Sequence, residues 1–303
     1  MIGGSQDGGS RVGSLDGRVA IITGAGRGLG RAYARFFAAE GAKVVVNDNG
    51  CDPSGERPAD DAAGRVVAEI REAGGEAVVS REDVADWEAG GRLVQTAVDA
   101  FGRLDVLVNN AGILRDRAIV NMQEGEWDEV IRVHLKGHFV PLRHAASHWR
   151  ERAKAGEEVR ASVVNTSSTS GLQGNPGQSN YGAAKAGVAA LTVIAAMELA
   201  RYGVRVNGVV PTARTRLTES TPGLDEIVRP PEDASRFDEW DPDNVSPVVG
   251  WLAREGCTVT GRLLYVFGGT VQPMTGWLRE PGLERPERWT LAELDEQLGP
   301  LLG

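Results

Sequence analysis

The sequence predicts an α/β fold, one doubly wound parallel sheet in a single domain. Three observations point there. Short Val- and Ile-rich runs alternate with longer helical stretches over most of the chain. The runs are apolar throughout instead of at every second residue, as strands covered on both faces of a parallel sheet are. The first run passes directly into "TGAGRGLG" (23–30) and then a helix, a glycine-rich turn of the Rossmann type.

In order, strands are expected at "RVAIIT" (18–23), "AKVVVND" (42–48), "EAVVS" (76–80), "LDVLVNN" (104–110), "ASVVNTS" (161–167), "VRVNGVV" (204–210) and "RLLYVF" (262–267). Helices are expected near 28–39, 58–73, 87–101, 124–150 and 180–201, giving right-handed βαβ crossovers. Residues 1–14, rich in Gly and Ser, read as a flexible tail, 15–271 as the folded domain and 272–303 as an extension rich in Trp and charge. The polar, Pro-broken stretch 212–245 lies between the last two strands, where a lid over a ligand could hang.

Composition excludes several classes of function. The net charge is −9 and no long basic run is present, so neither nucleic acid nor an anionic membrane surface is an expected partner. Cys51 and Cys257 stand far apart without CxxC spacing, which suggests neither a disulfide framework nor a zinc site. The start lacks an apolar signal core, no apolar run approaches the ~20 residues of a membrane span, and "GPLLG" is not a peroxisomal address. A cytoplasmic setting is the expectation.

The chemistry-bearing residues cluster at strand ends. Gly24, Gly28 and Gly30 permit a tight turn whose backbone N–H groups and following helix can approach a pyrophosphate. Asp48 closes the second strand, where a carboxylate can accept from ribose hydroxyls and repel a 2′-phosphate. Arg27 pulls the other way, since a guanidinium can take that phosphate. Asn110, Ala111 and Gly112 close the fourth strand and suit the floor under a flat cofactor. Ser168 closes the fifth. In "NPGQSNYGAAK" (175–185), Tyr181 and Lys185 lie one helical turn apart among small residues, so the ammonium can sit beneath the phenol and lower its pKa. Singly, each of these also fits an ordinary turn or helix start. The pairs His134/His138 and His144/His148 have HxxxH spacing but no third ligand nearby, so no metal is expected.

Together, TGxxxGxG, NNAG, the serine and YxxxK resemble the short-chain dehydrogenase/reductase family over about residues 15 to 270. The resemblance implies hydride transfer between an alcohol and a carbonyl with NAD or NADP. It implies Tyr181 as the acid–base, Ser168 orienting the substrate oxygen, and Lys185 holding the nicotinamide ribose and lowering the tyrosine pKa. Gly24, Arg27, Gly28, Leu29, Gly30, Asp48, Asp83, Val84, Asn110, Ala111, Gly112, Pro211 and Thr212 would line the cofactor, with the small residues beside Lys185 making room for the ribose. "VVVNDNG", "NNAGILRDR", "VHLKGHF" and "GNPGQSNYGAAKAG" are similar to the (3R)-hydroxyacyl-CoA dehydrogenase part of peroxisomal multifunctional enzymes and its bacterial relatives. The insert "GCDPSGERPADD" fits that group as well. Two positions depart from the wider family: His134 replaces an Asn of the proton relay, and Pro211-Thr212 replaces Pro-Gly.

Asp48, outweighing Arg27, favours NAD over NADP, and the resemblance implies a homodimer or homotetramer. It implies a small-molecule substrate, a 3-hydroxyacyl-CoA first and a hydroxysteroid second. Arg214, Arg216 and Arg229, with Leu217, Ile227 and Val228, would meet CoA phosphates and cover an apolar chain. The alternatives are an NADP-linked reductase of 3-oxoacyl thioesters and, in another class, a dinucleotide-sensing protein without catalysis.

Overall fold

The computed structural model describes residues 13–51, 61–215, 227–233, 235–276, 281–298 and 301. The apolar runs form β1 (Val19–Thr23), β2 (Lys43–Asn47), β3 (Ala77–Ser80), β4 (Val106–Asn109), β5 (Ala161–Thr166), β6 (Val204–Thr212) and β7 (Leu263–Phe267), with β8 (Thr270–Met274) behind them. They make one sheet in the order β3-β2-β1-β4-β5-β6-β7-β8. The first seven are parallel, and β8 returns antiparallel to β7. Every residue of β1, β4 and β5 is buried, which is why these runs carry no polar alternation.

The helices are α1 (Gly28–Ala39), α2 (Ala62–Glu72), α3 (Trp87–Phe101), α4 (Glu124–Ile131), α5 (Gly137–Lys154), the single turn α6 (Thr169–Leu172), α7 (Ser179–Leu199), α8 (Ser246–Ala253) and α9 (Leu291–Gln297). Two cores lie on opposite faces of the sheet. Phe37 of α1, Ile70 of α2 and Leu252 of α8 pack on one face, and Leu93 of α3, Trp149 of α5 and Ala196 of α7 on the other. Local chemistry sets the helix ends: Asp61 accepts from the Gly64 N–H to start α2 and Asp86 from the Ala89 N–H to start α3. Gly102, at φ 79°, ends α3 in the left-handed conformation that favours glycine.

The structure departs from the sequence expectation in three respects. The stretch 124–150 is not one helix: a π-helical turn, Arg132–Lys136, separates α4 from α5. One residue too many is accommodated there, so the Gly137 N–H reaches back to the Arg132 carbonyl. The elements β8, α8 and α9 were not expected, because each is short and β8 is exposed and contains Pro273, both marks against a strand. The stretch Ser179–Tyr202, α7 and the turn after it, is long and apolar enough to cross a membrane by length and composition, contrary to the sequence reading. Here α7 packs on the sheet with Ala195 and Ala196 in the core and buries Lys185. The expected insert falls largely on residues 52–60, outside the described residues, as do Arg216 and Leu217 of the expected lid.

Trp149 is fully buried between α5 and the sheet, and its Nε1 donates to the Leu104 carbonyl at 2.7 Å. Trp149→Ala is expected to lower the unfolding free energy by about 3–5 kcal/mol. Trp149→Phe keeps most of the apolar volume but strands that carbonyl, at a cost of about 1–3 kcal/mol. Chemical denaturation of both variants checks the order.

Candidate active site

Between β1 and β4 the strand order reverses, and the helices following these strands leave on opposite faces. A crevice opens there at the carboxyl ends of the strands. Gly24, Arg27, Gly28, Leu29, Asp48, Asp83, Val84, Asn110, Ala111 and Gly112 all line it. Gly30 lies underneath: a Cβ there would sit 2.1 Å from the Gly24 carbonyl oxygen, so glycine is what lets α1 begin against the turn. Gly24, at φ +63°, is equally confined, since its Cβ would meet the Ala111 Cα at 2.7 Å. Asn110 ties the turn to β4 by donating from Nδ2 to the carbonyls of Thr23 (3.1 Å) and Gly24 (3.3 Å). Gly28 faces open space apart from the Thr215 side chain, 3.6 Å from where a Cβ would stand. Its backbone and the start of α1, which has no acidic residue in its first turn, suit a pyrophosphate.

Asp48 is fixed by two backbone donors, Gly26 N–H to Oδ2 at 2.9 Å and Gly50 N–H to Oδ1 at 2.8 Å. Each oxygen keeps a lone pair that can accept from a ribose diol. Asp83 accepts from Ala85 N–H at 2.9 Å and pairs with Arg132 at 2.9 Å, which also grips Glu129. Arg132, Glu129, Cys51, Ile113 and Thr215 line the crevice too and escaped the sequence reading, because no spacing marks them. Pro211 and Thr212 end β6 outside this lining.

Beyond Ile113 the crevice meets a second group of side chains. Ser168 caps α6, its Oγ accepting from the Ser170 N–H at 3.2 Å, and its hydroxyl lies beside the Tyr181 phenol, whose pKa it lowers. Lys185 is buried one turn below Tyr181, with Nζ 5.6 Å from the centre of the tyrosine ring, and donates to the Thr166 carbonyl at 2.6 Å. The glycines in and around this segment face other parts of the chain. A Cβ on Gly182 would stand 2.9 Å from the Ser170 carbonyl oxygen, and one on Gly187 3.0 Å from Leu135. A Cβ on Gly171 would meet the Ala186 nitrogen at 2.5 Å. The glycines therefore let the β5–α6 turn and the π-helical turn close onto α7, and that closure brings Ser168 to Tyr181.

A profile described as short chain dehydrogenase matches residues 18–224. The chain belongs to the short-chain dehydrogenase family. It is 44% identical over 276 residues to the peroxisomal multifunctional enzyme type 2 of Drosophila melanogaster, covering 89% of this chain and 43% of that protein. It is 42% identical over 274 residues to the hydroxyacyl-CoA dehydrogenase ChsB1 of Mycobacterium tuberculosis, covering 89% of this chain and 82% of that one. A crystal structure of a short chain dehydrogenase from Mycobacterium avium is 51% identical and superposes with a TM-score of 0.85 over 96% of each chain. This short-chain dehydrogenase is thus an oxidoreductase acting on CH–OH groups, related to hydroxyacyl-CoA dehydrogenases, with an NAD(P) nucleotide as cofactor.

Electrostatically, the dehydrogenase holds its two key groups away from charge. Burial raises the Tyr181 phenol, the Ser168 hydroxyl works against that rise, and the charge of Asp116 adds to it. Burial also pushes the Lys185 ammonium down to about 7. His134, the position at which the family resemblance implies a proton relay, is a buried ring. It lies 5.0 Å from and edge-on to Tyr181, with Nε2 2.7 Å from the Ile113 carbonyl oxygen. Burial, and then Lys185, hold it down at about 3, so it is a neutral imidazole near neutral pH. Gly112 makes room for it: a Cβ there would stand 2.4 Å from the ring.

The expected lid is also revised. Arg214 forms a largely buried ion pair with Asp238 and donates to the Val228 carbonyl at 2.8 Å, and Val228 itself is buried. Neither is available to a CoA phosphate or an acyl chain, whereas Ile227 and Arg229 remain exposed.

The Lys185 shift makes a prediction about the cofactor-free protein. Its folded value of about 7 lies below the ordinary ~10.4. Between the two, the unfolded chain holds a proton that the folded chain has released, so stability rises with pH, by up to about 1.4 kcal/mol per unit. Lys185→Met is expected to abolish that rise. Urea midpoints from about pH 7 to about pH 10 measure it, and a flat wild-type profile would refute it.

Proposed function

We propose that this chain interconverts the 3-hydroxy and 3-oxo forms of an acyl-CoA thioester, with NAD as the preferred cofactor. The observation that carries the reading is Tyr181 standing over the buried Lys185, whose Nζ lies 5.6 Å from the ring centre, with Ser168 beside the phenol. In the oxidative direction the substrate hydroxyl lies between Ser168 and Tyr181. Ser168 orients its oxygen, the deprotonated Tyr181 takes its proton, and the C–O bond becomes a carbonyl as the carbinol C–H leaves as hydride. The nicotinamide ring supplies the hydride acceptor when bound. Lys185, fixed on the Thr166 carbonyl, presents a cation that favours tyrosinate and offers further N–H donors to a ribose. His134 holds the phenol from the side as a neutral ring, which retains Tyr181 in register with Ser168.

The choice of NAD is supported by Asp48. Its carboxylate is pinned by Gly26 and Gly50 and cannot turn aside for a 2′-phosphate without giving up a hydrogen bond. The acyl-CoA assignment is supported by the names of the relatives, of which the multifunctional enzyme is more than twice as long as the matched region.

Two measurements test this. Tyr181→Phe is expected to lower kcat by at least about 10²-fold with cofactor affinity little changed; near-normal turnover would sink the assignment. Wild-type kcat/KM for 3-hydroxyacyl-CoA is expected to favour NAD over NADP, and Asp48→Ala to narrow the gap. A wild-type preference for NADP would favour the reductase of 3-oxoacyl thioesters instead.

A further inference from the structure

Gln178 stands at the start of α7, the helix that carries Tyr181 and Lys185, and its carbonyl accepts from the Gly182 N–H at 2.7 Å. Glutamine is not among the residues favoured at a helix start, whose short side chains turn back onto the first N–H groups. The Gln178 side chain makes no such capping bond. It is buried, and its amide is bonded to three neighbours instead. Nε2 donates to Asp116 Oδ2 at 2.7 Å. Oε1 accepts from Ser170 Oγ at 2.7 Å and from Asn175 Nδ2 at 3.0 Å. With the carboxyl group on one side and two donors on the other, the amide has one orientation that satisfies them all.

That grip passes to Ser168 through one residue. The Ser170 N–H donates to Ser168 Oγ at 3.2 Å, so one lone pair of the hydroxyl is held and its proton is left to meet a substrate oxygen. We propose that Gln178 is a positioning residue of the reaction: from the start of the tyrosine helix its amide grips Ser170, and through the Ser170 N–H it sets the direction in which Ser168 presents its hydroxyl. Gln178 thereby joins two parts of the site. Its backbone starts the helix of Tyr181, and its side chain fixes the turn of Ser168. Asp116 and Asn175 act on the amide alone, one from each side, and keep it from swinging away from Ser170.

The inference rests on the part that the reading above gives Ser168, and the tests keep the two apart. Gln178→Met keeps the length of the side chain and removes its polar atoms, whereas Ser170→Ala removes only the hydroxyl that Gln178 holds. With acetoacetyl-CoA and NADH, each is expected to lower kcat about tenfold, with the NADH dissociation constant from fluorescence titration unchanged. In a Ser168→Ala background neither change should lower kcat further, because residues that act as a unit are not additive. Additive losses would mark Gln178 as purely structural and overturn the proposal, as would a normal kcat in both variants. Normal turnover in Ser168→Ala itself would instead overturn the reading of Ser168, and the proposal with it. Hydrogen exchange at the Ser170 amide needs no substrate. In the cofactor-free protein Gln178→Met is expected to speed it at least about tenfold, as Ser168→Ala does. An unchanged rate overturns the proposal whatever the turnover. Faster exchange without turnover of acetoacetyl-CoA supports the grip on Ser168 and counts against the acyl-CoA assignment.

Discussion

The site depends on one buried cation. Lys185 is almost fully removed from solvent, where an ammonium is held at a cost that only nearby acceptors can offset. Among the described residues, a single backbone carbonyl, that of Thr166, is its hydrogen-bond acceptor. Burial therefore presses the lysine and the phenol above it toward their neutral forms together. The pair is poised, and it becomes an acid–base couple only when additional acceptors reach the ammonium. The geometry that achieves this is built from absences of side chain. Gly171, Gly182 and Gly187 let three separate segments press onto α7, and the same closure seals Lys185 from water.

The π-helical turn at Arg132–Lys136 belongs to that closure. It sets His134 against Tyr181 and Gly112, and it brings His138 into the interior beside Lys185 and the backbone of Thr166. Burial, with Lys185 and His134 alongside, keeps His138 well below the ordinary histidine range. Two histidines one turn apart thus serve as neutral walls, and their HxxxH spacing has a packing explanation. On the cofactor side the same turn points Arg132 at Asp83, so one irregularity in a helix shapes both ends of the crevice.

Much of this was legible in the sequence. Strands β1 to β7 were readable because burial on both faces removes polar alternation, and the glycine turn, Asp48, Ser168, Tyr181 and Lys185 because each has a spacing tied to chemistry. What was hidden depends on three-dimensional competition. Nothing in "EVIRVHLKGHF" announces a π-helical turn, since its apolar period continues across it. Arg214 looked like a free cation because its partner Asp238 lies 24 residues away. Gly182 and Ala184 read as space for a ligand, whereas Gly182 faces the Ser170 backbone and Ala184 packs with Ile113 and Val130.

The antiparallel β8 has a meaning beyond its length. A parallel sheet that stopped at β7 would end in a row of bare peptide groups beside the very strands that carry the site. The chain covers that row with its own hairpin, made from the exposed residues 270–274. Pro273 lies in it opposite Leu264 and has no N–H to offer a newcomer. The protein is thereby protected on this flank from recruiting stray extended chain. The Val- and Ile-rich strands behind it can then stay without the polar alternation of an exposed sheet.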